Sequence, residues 1–543
     1  MMKKYSVGID FGTLSARAVL IDLDNGAEVA QRTFEYPHGV IKSDFFDGIE
    51  LEKTTALQHP QDYLDAVKYT VKGVISDFGL DKSAIVGIGI DFTASTVLPV
   101  KEDGVPLCFE DKFKNEPHAY VKLWKHHGAE NEAQDITELA IKRGEKWLDI
   151  YSGKVSSEWM FSKLLEIKRK APHVYDETVY FLEAGDWIVW MLTGEKTHSS
   201  CMAGYKGLWN AQSGYPSNEF WACLGMDNVV GTKISENVIP AGSLAGKIDT
   251  RGASFTDLPI GTPVASPLID AHAAFPCAGI ADGGKMLLIL GTSACHIIMD
   301  EKDLNVKGIC GKVKDGIAKG YIAYEAGQSG SGDNYDWFVN NCIPEKYAEQ
   351  ARLCGKNLHE YMTEKAAQLE IGQSGIIALD WFSGNRTPYA DYGLTAMILG
   401  LNLNTKPEEL YRGILEGTVF GTRRIMELYE EAGVKVEQIY ASGGIARKNP
   451  FLMQMYADVI GKEIRIAKST QAGAKGSAVL GAVVGGAFES LKDAAEKIAD
   501  GYDTVYTPIP ENTAKYDKLY NEYVTLSEYF AKENPVMKKI KQI

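Results

Sequence analysis

Short apolar runs that end in Gly-Thr turns are the recurrent signal of this chain. Val7-Gly8-Ile9-Asp10 reads as a strand, Phe11 to Ser15 as a turn containing Gly12-Thr13, and Ala16 to Asp22 as the returning strand. Asp24-Asn25-Gly26 then closes the segment, so the opening predicts a β-hairpin followed by more sheet. The pattern recurs near the middle: Met286 to Leu290 is apolar, Gly291-Thr292-Ser293 is the tip, and Cys295 to Met299 returns. Two such segments predict two related halves, each opening with a hairpin whose tip faces a shared cleft. Chance recurrence of a common β pattern is the alternative.

Between these landmarks strand and helix signals alternate. Ile85 to Asp91 is strand-like and runs into Phe92-Thr93-Ala94-Ser95-Thr96; Ser157 to Lys170 has helical period, with Pro172 just beyond. The Gly- and Pro-rich stretch from Pro240 to Pro267 places the boundary between halves near Gly261-Thr262-Pro263, giving domains of 1–262 and 263–543. A long helix is predicted from Lys406-Pro407 to about Gly433; its Gly413, Gly417 and Gly421 share one face, which suggests close packing on another backbone. Ile439 to Ser442 runs into Gly443-Gly444, and Asn449-Pro450 starts a helix, an arrangement able to present N–H groups to a nucleotide. Ala472 to Phe488 is a Gly/Ala-rich helical stretch with no evident chemistry.

Composition narrows the function. The 543 residues carry a formal net charge of −15, which argues against nucleic-acid or anionic-membrane partners. No apolar run approaches the ~18 residues of a membrane helix, and no secretory leader is visible. The eight cysteines are scattered with no metal-binding spacing, so reduced thiols in a cytoplasmic protein are expected.

Two carboxylates stand out. Asp10 ends an apolar strand before a glycine turn, where it could sit near a cation or simply accept turn N–H bonds; Asp91 ends another such strand. Asp270, in Ile269-Asp270-Ala271-His272, has small neighbours and no adjacent Lys or Arg in sequence, so it could act as a general base. Local sequence favours a cap on a helix beginning at Ala271, with His272 structural. Glycine tips from both halves with two carboxylates suit phosphoryl transfer, in which catalysis is mostly positioning and charge neutralisation. The Walker-type phosphate loop and the protein-kinase motifs are absent.

In order along the chain, several motifs resemble the FGGY carbohydrate kinases. They are Gly8 to Arg17, Ile269-Asp270-Ala271-His272, Leu290-Gly291-Thr292-Ser293, Gly384 to Pro388, Gly400 to Gly417 and Ala441-Ser442-Gly443-Gly444-Ile445. The resemblance implies an α/β fold of two ribonuclease-H-like domains, of the actin and hexokinase type, around a deep interdomain cleft. It assigns the sugar and phosphate side to the N-terminal domain, and nucleotide binding with the catalytic base to the C-terminal one. Asp91 to Thr96, Ala203 to Trp209 and Tyr324 to Gln328 are most similar to members that phosphorylate L-ribulose in arabinose catabolism. The resemblance further implies Asp270 as catalytic base and Asp10 with Asp270 beside Mg²⁺. Ala94, Lys206, Asp270, Glu325 and Trp124 become sugar contacts. Gly12, Thr13, Arg17, Gly291, Thr292, Gly332, Gly443, Gly444 and Asn449 fall on the ATP side. Relatives often carry an acid or amide after the Trp124 position, where this chain has Lys125-His126-His127. A homodimer taking ATP and L-ribulose is the expectation; other ketopentoses or pentitols, and an actin-like nucleotide switch, are the alternatives.

Overall fold

The computed structural model describes residues 3–46, 48–469 and 471–541. The chain forms two compact units. The first comprises the chain up to Asp282 with Gly311–Ala323 and Ser469–Gly501; the second comprises Gly283–Cys310, Tyr324–Lys468 and the chain from Tyr502. This division differs from a single cut at 262/263, because residues 263–282, 311–323 and 469–501 fall with the first unit. The physical reason is strand and helix pairing. Strands Pro263–Ala265 and Leu268–Ile269 both pair with Ile85–Phe92, and helix Ala472–Val484 lies against the first sheet.

In the first unit the sheet order is Leu244–Lys247, Pro263–Ala265, Ile85–Phe92, Tyr5–Phe11, Ser15–Asp22, Glu28–Glu35. Tyr5–Phe11 is antiparallel to Ser15–Asp22 and parallel to Ile85–Phe92. Alternation sets the two faces of the opening strand. Val7, Ile9 and Phe11 are fully buried, and Phe11 meets Tyr63 of helix Pro60–Phe78 and stacks on Phe92 with ring centroids 4.7 Å apart. Each such side chain contributes about 1.5–3 kcal/mol by its burial. The opposite face carries Ser6, Gly8 and Asp10, in register with Gly87, Gly89 and Asp91.

That second face is a trough floored by Gly8, Gly87 and Gly89 between Ser6 and the Asp10–Asp91 pair, and helix Ala472–Val484 fills it. A Cβ on Gly8 would lie 1.8 Å from the carbonyl oxygen of Ala474, and one on Gly89 would lie 1.8 Å from that of Ser477. Backbone meets backbone here, so only glycine fits. Ser6 Oγ donates to the carbonyl of Ala478 at 2.7 Å, satisfying the hydroxyl at the near end of the trough.

The second unit repeats the plan. Lys285–Leu290 is antiparallel to Ala294–Asp300 and parallel to Gln438–Ser442, which pairs onward with Ile464–Ala467 and through it with Tyr502–Tyr506. The glycine stripe of helix Pro407–Glu431 closely meets backbone at one position only: a Cβ on Gly417 would lie 2.3 Å from the carbonyl oxygen of Ala378, whereas Gly413 faces the side chain of Ile376 and Gly421 that of Gln328. None of the eight cysteines forms a disulfide. Among the described residues no helix is long and apolar enough to cross a membrane.

Candidate active site

Three carboxylates gather at the carboxyl ends of neighbouring parallel strands in the first unit. Asp10 and Asp91 are register partners on Tyr5–Phe11 and Ile85–Phe92. Leu268 and Ile269 pair with Asp91 and Phe92, which delivers Asp270 to the same end as the first residue of helix Asp270–Cys277. Ile269 is the residue before that helix, so Asp270 stands inside its first turn and does not cap it from outside; its Oδ1 accepts from the Ala271 N–H at 2.7 Å.

Burial pushes the carboxyls of both Asp10 and Asp91 upward, Asp91 the more strongly because the charges of Asp10 and Asp270 add to the effect. Desolvation is the main cause for both, and the nearby Asp10 charge adds to the rise of Asp91. Ser477 Oγ donates to Asp91 Oδ2 at 2.6 Å. Helix Ala472–Val484 begins directly over the pair: a Cβ on Gly473 would lie 3.0 Å from Asp10 Cγ and 3.2 Å from Asp91 Oδ1. The partial positive charge of a helix N-terminus stabilises an anion there by about 0.3–1 kcal/mol, more where water is excluded.

The glycine tip follows at once. Gly12 N–H donates to the carbonyl of Ser15, and Thr13 Oγ1 accepts from Trp124 Nε1 at 3.1 Å. Arg17 is the register partner of Asp10, draws its carboxyl down, and donates to Gln471 just before the trough helix. The structure thus brings Asp10, Gly12, Thr13, Arg17 and Trp124 together. Trp124 keeps 40% of its surface exposed, whereas His126 behind it is buried and tied to the Ala56 N–H and to Glu166 Oε2. Burial lowers His126 to about 4, leaving it neutral. The Lys-His-His run is therefore partly a foundation for Trp124.

Ala94 lies in the turn after Ile85–Phe92, half-buried, and Lys206 ends helix Ser200–Lys206 with its ammonium 5.9 Å over the Trp159 ring. His272 is fully buried, its Nδ1 3.0 Å from Cys201 Sγ and its ring 4.5 Å from that of Tyr205, in agreement with a structural role. These contacts join the helix bearing Lys206 to the one bearing Asp270. Glu325 lies on Ile322–Gln328, in the second unit, almost fully buried.

The second unit holds a cavity of about 790 Å³, lined among others by Gly291, Thr292, Gly332, Gly444 and Asn449. Gly332 N–H donates to the Gly291 carbonyl at 2.9 Å, and Ser331 N–H to that of Thr292 at 2.9 Å. Gly443 stands at φ +101°, with room for no Cβ beside the Leu290 carbonyl oxygen, 2.3 Å from where it would be. Asn449 caps helix Pro450–Ile460 by accepting from the Leu452 N–H at 3.0 Å. The Gly332 and Ser331 N–H groups are thus spent on holding the two turns together, and the turns set the cavity wall. Gly332→Val would place side-chain atoms against the Gly291 carbonyl, 2.8 Å from its Cβ. It is expected to raise the ATP KM about tenfold while the sugar KM stays within twofold, read by initial rates with each substrate varied.

Sequence reasoning misses several lining residues: Tyr335, Asp336, His359, Glu360 and Phe451 also border this cavity, and His359 Nε2 pairs with Asp336 Oδ1 at 2.8 Å. No motif marks them, since they come from helices with ordinary amphipathic period. Asp91 is different. Gly8-Ile9-Asp10-Phe11 and Gly89-Ile90-Asp91-Phe92 are the same four letters, and the sheet sets them side by side. That repetition is a usable signal.

The first unit thus carries paired carboxylates under a helix N-terminus, and the second a glycine-walled cavity. Residues 5–277 match the N-terminal domain of the FGGY family of carbohydrate kinases, and residues 286–484 match its C-terminal domain. Asp270 thus falls in the N-terminal family domain as well as in the first compact unit. The chain is 45% identical over 537 residues to the ribulokinase of Bacillus licheniformis, covering 98% of this chain and 97% of that one. To the ribulokinase of Halalkalibacterium halodurans it is 46% identical over 551 residues, covering 100% and 98%. The fold is that of the xylulose kinase from Rhodospirillum rubrum, with TM-score 0.82 at 21% identity and coverage of 98% and 100%. Glycerol kinase from Plasmodium falciparum, solved with ADP, gives 0.76 at 18% identity, covering 96% and 98%. This chain belongs to the FGGY family of carbohydrate kinases, enzymes that phosphorylate sugars from ATP.

Proposed function

We propose that the chain is a ribulokinase, transferring the γ-phosphoryl group of ATP to O5 of L-ribulose to give L-ribulose 5-phosphate and ADP. The observation that carries this reading is the full-length identity of 45–46% to ribulokinases. The strand pairing that delivers Asp270 to the same sheet end as Asp10 and Asp91 supports it.

In this reading Asp270 accepts the proton of the O5 hydroxyl as oxygen attacks phosphorus, turning a poor nucleophile into a competent one. Lys206 donates to sugar oxygens, Glu325 accepts from sugar hydroxyls, and Ala94 and Trp124 form the wall. Gly12, Thr13 and Arg17 hold phosphate oxygens on the first unit. Gly291, Thr292, Gly332, Gly443, Gly444 and Asn449 serve the nucleotide on the second. Among the described residues no group of three or more His, Cys, Asp or Glu side chains is arranged as a metal cage. That fits Mg²⁺, which usually takes one or two carboxylates and fills its shell with water and substrate phosphate. Asp10 and Asp270 would hold it, and when bound it neutralises phosphate charge. We also read the protein as a cytoplasmic homodimer, a state that light scattering would test.

A coupled ADP-release assay tests the substrate. With Mg²⁺ and ATP, L-ribulose is expected to give kcat/KM at least tenfold above D-ribulose, L-xylulose and ribitol. A higher value with any of those three would transfer the assignment to it, and sugar-independent ATP turnover would point to a nucleotide switch.

A further inference from the structure

Helix Met160–Lys170 buries two charged side chains, Lys163 and Glu166, that the chemistry above does not use. A buried ammonium is strongly destabilising unless its N–H groups find acceptors. Lys163 Nζ donates to the carbonyl oxygen of Ser95 at 2.5 Å and to that of Leu123 at 2.9 Å. Ser95 follows Ala94, and Leu123 precedes Trp124. One ammonium therefore ties together the two backbone segments that carry the sugar wall.

The surroundings hold the same turn from other sides. Ser95 adopts φ +49°, in the left-handed region that L residues rarely enter, and its Oγ donates to the Glu158 carbonyl at 2.7 Å. Thr96 N–H donates to Oε2 of Glu183 at 2.9 Å, and Glu183 is itself buried. Burial pulls the Lys163 ammonium below its ordinary range and pushes the Glu183 carboxyl above its own, and each charge opposes the other's shift. Lys206 adds its attraction to Glu183. One turn further along the helix, Glu166 Oε2 binds Lys122 at 2.9 Å and His126 at 2.8 Å, fastening the segment on both sides of Trp124.

We propose that Lys163 is a positioning residue for the sugar: clamped between the Ser95 and Leu123 carbonyls, its ammonium fixes the Ala94 turn against the Trp124 segment, with Glu183 as its counter-charge. The inference rests on the sugar site proposed above. Its effect should fall mainly on the sugar, because the clamped segments carry Ala94 and Trp124, whereas the cavity proposed for the nucleotide is lined by residues of the second unit.

Lys163→Met keeps the length of the side chain and removes its donors. It is expected to raise the KM for L-ribulose at least tenfold with the KM for ATP within twofold of wild type. Without substrates, acrylamide should quench tryptophan fluorescence more strongly in the variant, and that increment should vanish when Trp124→Phe is added. A sugar KM within twofold of wild type, equal rises in both KM values, or unchanged quenching would overturn the clamp. If Lys163→Met does not fold, Glu183→Gln decides: a sugar KM raised threefold or more at constant ATP KM supports it, and no change overturns it. A wild-type protein inactive on every ketopentose would sink the substrate assignment alone, and the quenching measurement would then judge the clamp by itself.

Discussion

Asp270→Asn is expected to lower kcat with L-ribulose by about 10³-fold, within the 10²–10⁴ that a positioned general base contributes. Asparagine keeps the shape and the hydrogen bond from the Ala271 N–H, so the helix Asp270–Cys277 should stay in place and the melting temperature should move little. ATP affinity, measured by calorimetry without Mg²⁺, should change little, since the cavity proposed for the nucleotide is lined by residues of the other unit. A drop in nucleotide affinity as large as the drop in rate would remove Asp270 from the proton-transfer role. The substitution also deletes one negative charge that helps to keep Asp91 protonated. It should therefore ease ionisation of Asp91, whereas Asp10→Asn, which leaves the proposed base in place, should cut the rate by raising the Mg²⁺ concentration needed for half-maximal activity.

The second large effect is expected at Gly476→Ala. The added methyl would lie 1.7 Å from the Ala273 carbonyl oxygen, which is backbone and has no rotamer to yield. Overpacking of this kind typically costs about 1–3 kcal/mol, which lowers the melting temperature on the order of 5 °C in a unit of this size. Ala273 lies three residues after Asp270 on the same short helix, so relieving the clash by shifting that helix also moves the proposed base. Thermal melts and kcat should fall together. A variant as stable and as active as wild type would mean that the two helices are not held where the structure places them.

Much of this site is legible in the letters alone, and the boundary of what is legible has physical causes. The hairpins are readable because a strand, a Gly-Thr turn and a returning strand are local, and the observed Tyr5–Phe11 with Ser15–Asp22, and Lys285–Leu290 with Ala294–Asp300, follow the expected segments closely. The Gly413-Gly417-Gly421 stripe is readable as one buried face because helical period is local too, but that only Gly417 closely meets backbone, and the other two meet side chains, depends on distant segments. Register between distant strands is not local. That Asp10 faces Asp91, that Asp270 follows a strand paired to the same neighbour, and that Gly473 closes over them depends on segments up to 463 residues apart. The same non-locality defeats the single boundary near Gly261: helix Ala472–Val484 reads as an unremarkable Gly/Ala stretch, because what makes it part of the first unit is a trough of glycines on strands from the other end of the chain. Lys163 shows the opposite failure. In sequence it looks like one more helix lysine, and only its two carbonyl partners reveal why it is inside.

Synthesis builds the glycine trough long before its cover. The floor, at Gly8, Gly87 and Gly89, leaves the ribosome first, while the segment that lies over it is translated near the end. At about 5–20 residues per second, the bare floor waits roughly 20–100 s. Over that time the helix Pro60–Phe78 is already available to cover the Phe11 face, while the glycine face lacks its cover until the chain is nearly complete.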